Sequence, residues 1–335
     1  MRTMPYNSRD TFYKSVFGSV EAHKSFRLSV LLPCDGYVKG VVAVFNRDNE
    51  ETLTFEMTDD GNKLEGNFYT RSVEISLDEG LYFYHFIMYT VEGERKLHNV
   101  GGGWGDFQPK EGIDFQLTVY EEGFETPTHT RGGIIYQIFP DRFYKGENSL
   151  PFPTDRYIRE DWGGIPEYSQ ETFPKALGND YFCGNLKGIE EKLDYIASLG
   201  VTMIYLNPIF EAHSNHRYNT ADYFKIDPLL GSEEDFISLC TAAKKRQIDI
   251  ILDGVFSHTG DDSIYFNAEK RYGEGGAFND KDSEYYSWYK FKKYNTDYEC
   301  WWGVKTLPEV NEDDPSFTEF VTGENGVIRY WMRRG

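Results

Sequence analysis

Cysteine is scarce in this chain: only four occur among 335 residues, and they lie far apart. Cys34, Cys183, Cys240 and Cys300 form neither a Cys-x-x-Cys pair nor a zinc-ligand spacing. The pattern therefore excludes a small secreted scaffold held together by disulfides. Free thiols in a reducing compartment are the simplest interpretation, which predicts a cytoplasmic location.

Long apolar runs and a basic charge balance are missing as well. No stretch approaches the ~18 apolar residues that a membrane span needs, and MRTMPYNSRD at the start lacks the apolar segment of a signal peptide. The 35 Lys and Arg stand against 55 Asp and Glu, which gives a net charge of −20. We therefore expect no membrane and no nucleic acid as partner. The charge favours a neutral ligand, or an acidic surface that serves solubility alone.

Aromatic residues, by contrast, are abundant. They make up 17% of the chain, and 25 Tyr and 25 Phe account for nearly all of them. Together with a hydrophobic share of 39% they supply enough apolar surface for substantial cores, which argues against disorder. At this length we expect two domains.

Residues 1–125 have the pattern of short strands separated by turns. Residues 113–120 alternate strictly between apolar and polar side chains, as a half-buried strand does. The other candidate strands are residues 26–32, 41–45, 52–57, 73–77 and 81–89. Turn residues at 59–62 and a glycine-rich loop at 101–105 separate some of them. The pattern predicts an antiparallel β-sandwich, followed by a linker at 121–131.

After residue 130 the pattern changes to alternating strands and helices. Strands are predicted at 133–139, 201–206 and 248–252, the last buried on both faces. Helices are predicted at 186–199, with Gly200 as its cap, and after Ser232, which forms a capping box with Asp235. A last helical stretch at 315–334 buries Ile328 and breaks at its glycines. This order predicts βαβ units around a parallel sheet.

Polar residues that could take part in catalysis or binding follow the third predicted strand. Asp253 and His258 stand at its C-terminal end, where the active sites of α/β barrels lie. An ordinary buried strand with two polar residues at its exit is the alternative. His213 and His216 have a spacing that suits a metal but lack further ligands nearby, so we predict no metal there.

Two unusually long segments, residues 141–180 and 259–314, follow the first and third strands. Both are rich in aromatic residues and carboxylates, a combination that suits a sugar, since its C–H faces stack on rings and its hydroxyls take hydrogen bonds. The alternative is that most of the rings form a core within the segments themselves.

Six motifs together resemble one family. They are YQIFPDRF at 136–143, GNLKGI at 184–189, NPIF at 207–210, SNHRYNTADY at 214–223, DGVFSH at 253–258 and LPEVN at 307–311. In this order they resemble the α-amylase superfamily of glycoside hydrolases, and most of all its neopullulanase, cyclomaltodextrinase and maltogenic amylase branch.

The resemblance implies a fold and a division of the chain. Residues 1–125 would be a starch-binding-like β-sandwich, and residues 126–258 the first three βα units of an incomplete (β/α)8 barrel. Residues 259–314 would form the excursion called domain B, and residues 315–335 the third barrel helix, before the fourth strand. The implied partners are an α-glucan and a second copy bound through the N-terminal domain.

The resemblance also implies a retaining mechanism on α-1,4 and α-1,6 glucosidic bonds of maltodextrin, cyclodextrin or pullulan. Its aspartate nucleophile, glutamate acid/base and second aspartate belong to later strands, so none of the three is present and we expect the chain alone to be inactive. The alternatives are a non-catalytic α-glucan-binding protein and a truncated remnant.

Three residues match the family's substrate-binding positions. Tyr218 corresponds to the tyrosine that stacks on the sugar at the cleavage point, and His258 to the histidine that hydrogen-bonds the same sugar. Asp253 corresponds to an aspartate that helps to order the site. Relatives bind calcium through acidic residues at positions that here read Lys145-Gly146-Glu147-Asn148-Ser149 and Gly184-Asn185. Fewer carboxylates bind calcium less well, so we expect no cofactor and no tight calcium site.

Overall fold

The protein is described by a computed structural model that covers residues 4–47, 52–64, 66–108, 112–148, 150–166 and 178–335. Ser149, in the loop at the position where relatives bind calcium, and part of the long segment 141–180 lie outside these ranges. The chain divides into two compact units, Met1–Thr126 and Pro127–Gly335. No helix among the described residues is long and apolar enough to cross a membrane.

The N-terminal unit is built from ten strands. They are β1 Tyr6–Asn7, β2 Val20–Glu21, β3 Phe26–Pro33, β4 Val38–Arg47, β5 Thr52–Leu64, β6 Phe68–Ile75, β7 Gly80–Thr90, β8 Gly93–Gly101, β9 Trp104–Gln108 and β10 Phe115–Tyr120. Their order is β1-β9-β8-β7-β4-β5-β6-β3, with β10 beside β7 and β2 beside β10. All described pairings are antiparallel except β2 with β10. This is a large antiparallel sheet of the sandwich or barrel-like kind.

One core lies inside this sheet and brings the end strand β3 into the same cluster as the central strand β7. Leu28 and Val30 from β3 pack in the same cluster as Tyr84 and Phe86 from β7. Strand β10 follows the predicted alternation, because Phe115 and the apolar residues after it are buried while the polar residues between them are exposed.

Two expectations for this unit are wrong in part. Residues 59–62 do not form a turn; they lie within β5, where the pairing with β6 is irregular between Asp59 and Lys63. The carboxylate of Asp60 accepts hydrogen bonds from Thr70 Oγ1 at 2.5 Å and Ser72 Oγ at 2.6 Å, which holds this irregular stretch against β6. The glycine-rich run is a hairpin turn only as far as residue 103, and Trp104 already belongs to β9.

The C-terminal unit contains a three-stranded parallel sheet. Its elements are β11 Ile135–Ile138, α1 Pro140–Phe143, β12 Tyr157–Ile158, β13 Asp180–Tyr181, α2 Leu186–Glu191, α3 Leu193–Ser198, β14 Met203–Leu206, β15 Phe210–Ala212, β16 Thr220–Ile226, α4 Glu233–Lys244, β17 Asp249–Leu252, β18 Phe291–Lys293, β19 Asp297–Tyr298, α5 Pro315–Thr322 and α6 Val327–Met332. The parallel sheet has the order β11-β14-β17. Ile138, Leu206 and Leu252 end the three strands side by side, so the segments that follow leave from one edge.

The helix signals are confirmed in kind but not in every boundary. Ser232 and Asp235 form the predicted capping box at α4. The single helix predicted at 186–199 is two helices, α2 and α3, separated at Lys192, and Gly200 follows with φ of +78°. The amide of Gly200 bonds to Ala197 O at 2.9 Å, as a C-terminal cap does.

Two burial expectations are wrong. The third strand, β17, is only partly buried because it lies at the edge of the described sheet, whereas the central β14 buries Ile204 and Leu206 completely. Ile328 is 41% exposed, since on α6 it lies beside the face that Val327 and Trp331 share at a spacing of four.

Segment 259–314 supplies its aromatic side chains mainly to the interior of the unit. Five of them are buried in one cluster with residues of the parallel sheet and its helices: Tyr265, Phe266, Trp288, Tyr289 and Tyr298. The core interpretation of these rings is therefore confirmed for those five. Trp301 and Trp302 remain exposed, and Trp302 is 88% exposed.

Candidate functional site

A chain of polar side chains crosses the edge at which the parallel strands end. Gln137 on β11 donates from Nε2 to Asn207 Oδ1 at 3.0 Å, and Asn207 Nδ2 donates to Tyr218 Oη at 3.1 Å. The Tyr218 hydroxyl in turn donates to Asp253 Oδ2 at 3.1 Å. Asp253 follows β17 directly, so adjacent parallel strands bring these groups together.

Two histidines hold the backbone and the ring of Tyr218. His258 Nε2 lies 3.1 Å from the Tyr218 carbonyl oxygen and donates to it, while His258 Nδ1 lies 3.1 Å from Ser257 Oγ. The Tyr218 amide donates to His216 Nδ1 at 3.1 Å, and the rings of His216 and Tyr218 stack with centroids 5.9 Å apart. Tyr218 is still 36% exposed, so part of its ring faces solvent.

The protonation of the site follows from these surroundings. Partial burial, followed by the nearby Asp253 carboxylate, raises the pKa of Tyr205 to about 12. The same two causes raise the pKa of Tyr218. Burial lowers the pKa of His258. At neutral pH the phenols are therefore protonated donors and His258 is a neutral imidazole, which suits hydrogen bonding to uncharged hydroxyl groups.

A buried ion pair supports the segment that carries Tyr218. Arg217 is completely buried and has a left-handed backbone with φ of +60°. Its Nη2 donates to Asp227 Oδ1 at 3.1 Å, and its Nη1 donates to Asn215 O at 2.6 Å. A left-handed conformation is uncommon for arginine, and these contacts fix it. The sequence pattern did not predict this pair, although Arg217 stands next to Tyr218 in the motif at 214–223.

The segment that closes 259–314 returns to His258. Val310 N bonds to Ser257 O at 2.9 Å, and Glu309 forms a β-bridge with His258. The Trp301 ring lies against the His258 ring, with centroids 5.3 Å apart. In the sequence Trp301 is one of many aromatic residues of segment 259–314. Its contact with His258, which bonds to the Tyr218 carbonyl, brings it close to Tyr218.

The Asp253 carboxylate at the strand ends is paired with a phenol. Retaining glycoside hydrolysis needs two carboxyl groups about 5 Å apart. Among the described contacts, the hydrogen bond of Asp253 leads to a phenol and not to a second carboxyl group. The predicted residues Tyr218, Asp253 and His258 are thus brought together, while their role toward a ligand stays a prediction.

The residues expected at the calcium position do not fit that ion. Asn185 Oδ1 already accepts hydrogen bonds from Gly188 N at 2.8 Å and Gly146 N at 3.1 Å. Asn148 Oδ1 accepts one from Leu150 N at 3.0 Å. Calcium takes six to eight oxygen ligands, and these side-chain oxygens serve backbone amides instead.

A second polar cluster lies around His213. Arg156 Nη2 contacts His213 Nδ1 at 2.7 Å, and Asp262 lies 3.9 Å from His213 Nε2. Burial, followed by the charges of Arg156 and Arg271, lowers the pKa of His213 to about 4. Two guanidinium groups near the ring disfavour a bound cation there.

The fold and the site define a class of protein: a chain with a parallel α/β unit that carries a polar cluster at the carboxyl ends of its strands, where α/β proteins bind ligands. Comparison with known proteins gives the family, since residues 137–331, more than half of the chain, match the alpha-amylase catalytic domain. The chain therefore belongs to the alpha-amylase family of glycoside hydrolases, which confirms the resemblance.

The matches to individual relatives cover more of this chain than the family match does. The chain is 35% identical to an amylopullulanase of Thermoanaerobacterium saccharolyticum over 98% of this chain and 28% of that protein. It is 34% identical to neopullulanase 2 of Thermoactinomyces vulgaris over 75% of this chain and 40% of that protein. The chain thus spans less than half the length of these curated relatives.

A solved structure supports the fold. The type III pullulan hydrolase of Thermococcus kodakarensis matches with a TM-score of 0.56 and 24% identity, over 99% of this chain and 55% of that chain. At this identity the match shows the fold alone.

Proposed function

We propose that this chain is the N-terminal part of a retaining α-glucan hydrolase that acts on α-1,4 and α-1,6 glucosidic bonds of maltodextrin, cyclodextrin or pullulan. In this proposal the three parallel strands are the first strands of a (β/α)8 barrel, and segment 259–314 is its domain B. The observation that carries the proposal is the contact of Tyr218, Asp253 and His258 at the strand ends in a chain of this family.

Each of the three side chains has a distinct role in the proposal. Tyr218 offers its partly exposed ring to the face of a glucose unit, because its opposite side is covered by His216. His258 is a neutral imidazole whose N–H at Nε2 already donates to the Tyr218 carbonyl, so it would meet a sugar hydroxyl as an acceptor, through Nδ1. Asp253 fixes the Tyr218 hydroxyl and thereby the angle of the ring, which makes it a positioning residue.

We further propose that these 335 residues, assayed alone, bind α-glucan without cleaving it. The support is the chemistry of the site, in which Asp253 pairs with phenols and not with a second acid. A non-catalytic α-glucan-binding protein would share this behaviour. The cytoplasmic location and a homodimer formed through the N-terminal unit belong to the same proposal.

Calorimetry with maltoheptaose on the whole chain tests the binding step. We expect saturable binding, and Tyr218→Ala should weaken it at least about tenfold, which corresponds to about 1.4 kcal/mol. Tyr195→Ala is the matched control, since Tyr195 is an exposed tyrosine on α3, away from the strand ends. Equal affinities in the two variants would contradict the assigned site.

A reducing-sugar assay with pullulan and cyclodextrin tests the second step. We expect no turnover by the 335-residue chain. Hydrolysis that is lost in His258→Ala would show that the chain is active by itself and would overturn that part of the proposal. A chain that neither binds nor cleaves would favour the remnant interpretation.

A further inference from the structure

Three strands of the N-terminal unit converge on one residue, His85. Two strands pair with the same side of β7. Strand β8 pairs with it as far as Phe86, which lies opposite Leu97, and β10 pairs with it from Tyr84, which lies opposite Phe115. Continuing either register by one residue places His98 and Asp114 opposite His85. The pairing of Asn99 with Ile113 also sets His98 opposite Asp114. Three residues that are distant in sequence therefore meet at one junction.

The ligand atoms of these residues converge. His85 Nδ1 lies 3.1 Å from Asp114 Oδ1, and His98 Nδ1 lies 3.0 Å from the same oxygen. The two imidazole rings stack with their centroids 4.9 Å apart. One ligand atom from each residue can be chosen so that all lie within 4.8 Å of one another. Two bonds of about 2.0–2.1 Å to one tetrahedral ion set neighbouring ligand atoms about 3.3 Å apart, which is close to the two nitrogen–oxygen distances of 3.1 Å and 3.0 Å.

Hydrogen bonding does not account for the whole cluster. The His98–Asp114 contact has hydrogen-bond geometry, but His85 Nδ1 is a buried nitrogen without a hydrogen-bond partner in the described part of the chain. His85 is only 8% exposed and His98 only 4%. A buried polar atom at contact distance from a carboxylate, yet misaligned for a proton, has the geometry of a ligand to a shared cation.

We propose that His85, His98 and Asp114 bind a divalent transition-metal ion of the zinc class. Two imidazoles and one carboxylate are a ligand set of catalytic zinc sites, and three protein ligands leave one position for water. The partial exposure of Asp114 leaves the site a route to solvent. The ion would join β7, β8 and the start of β10 at the point where the partner of β7 changes from β8 to β10.

The backbone beside the site restricts one of the proposed ligands. Gly112 packs on the His98 side chain so closely that a Cβ there would lie 2.6 Å from His98 Cβ, which restricts the ring.

Zinc binding to the whole chain tests the proposal. After removal of metal by a chelator, we expect one equivalent of Zn²⁺ to bind, with a rise in the unfolding temperature of the N-terminal unit. Co²⁺ in its place should give the visible absorption of a four-coordinate site. His85→Asn, His98→Asn and Asp114→Asn should each weaken binding at least about 100-fold, the upper end of losses from outer-sphere changes.

His213→Asn is the matched control, since it removes a buried histidine from the other candidate position. It should bind Zn²⁺ as the wild type does. The Co²⁺ spectrum of the wild type keeps the test decisive even where a variant fails to fold. Absence of stoichiometric binding by the wild type, or its loss in His213→Asn with retention in His98→Asn, would overturn the proposal.

Discussion

The buried ion pair between Arg217 and Asp227 offers the sharpest test of how the Tyr218 segment is held. Both side chains are inaccessible to solvent, and Arg217 Nη2 lies 3.1 Å from Asp227 Oδ1. Coulomb's law at an effective dielectric constant of about 20 gives roughly 5 kcal/mol of attraction at that distance. Desolvation of the two charges opposes it, so the net value of the pair is smaller.

Removing one partner is costlier than the net value of the pair. Arg217→Met leaves Asp227 as a buried carboxylate without its counter-charge and frees the backbone from its left-handed conformation. We therefore expect the free energy of unfolding of the C-terminal unit to fall by about 3–5 kcal/mol. Arg217→Met combined with Asp227→Asn should cost clearly less than the sum of the single changes, because the two residues contact each other.

Urea unfolding followed by tryptophan fluorescence measures this loss, since only Trp104 of the six tryptophans lies outside residues 127–335. The matched control is Arg246→Met, which breaks an arginine–aspartate pair of 2.6 Å whose Asp194 carboxylate is on the surface. The control should change stability little. If both variants lose the same small amount, burial does not set the strength of these pairs and the reasoning fails.

Three further predictions concern the C-terminal unit. Burial, helped by a neighbouring carboxylate, raises the pKa of Asp261 from 3.8 to about 7, so its contribution to stability is present below pH 3.8 and lost as pH rises through 7. Asp261→Asn should therefore reduce the fall in the free energy of unfolding between pH 5 and pH 8, measured by urea titration, by about 1–2 kcal/mol after allowance for solvent screening; an unchanged fall would contradict this. Ser232→Ala removes the N-cap of α4 and should lower the free energy of unfolding by about 1 kcal/mol in urea titration, while a neutral result would refute the capping role. Gly184→Ala would place a Cβ 2.2 Å from Pro140 O and should cost about 1–3 kcal/mol by thermal unfolding, whereas Gly275→Ala, in open space, should not; equal effects would count against the packing argument.

Sequence patterns correctly predicted the elements whose structure depends on residues close together in the chain. The capping box at Ser232 and the alternation in β10 depend on residues close in sequence, and both are found where expected. The Asp59–Asn62 stretch had the composition of a turn, but hydrogen bonds from β6 decide its conformation, and those come from residues ten and twelve positions away. Composition alone cannot report such partners.

Partners that are not neighbours in the chain explain the parts of the site that the sequence did not predict. Arg217 and Asp227 lie on either side of β16, ten positions apart, and neither residue type indicates that it is buried. The junction at His85 is harder still, because it depends on three strand registers that single-sequence patterns do not determine. Its histidines look like ordinary strand residues until the registers are known.

The role of Asp253 follows from its neighbours and not from its residue type. An aspartate at the end of a barrel strand is equally suited, by position alone, to attack a sugar and to order the site. A nucleophile needs an open carboxylate with a partner acid about 5 Å away. Asp253 instead accepts the Tyr218 hydroxyl at 3.1 Å and raises the pKa of Tyr205, so its charge is committed to phenols that the site keeps protonated. Its carboxylate therefore fixes the Tyr218 ring, and under the proposed function Asp253→Asn should weaken ligand binding in the same direction as Tyr218→Ala.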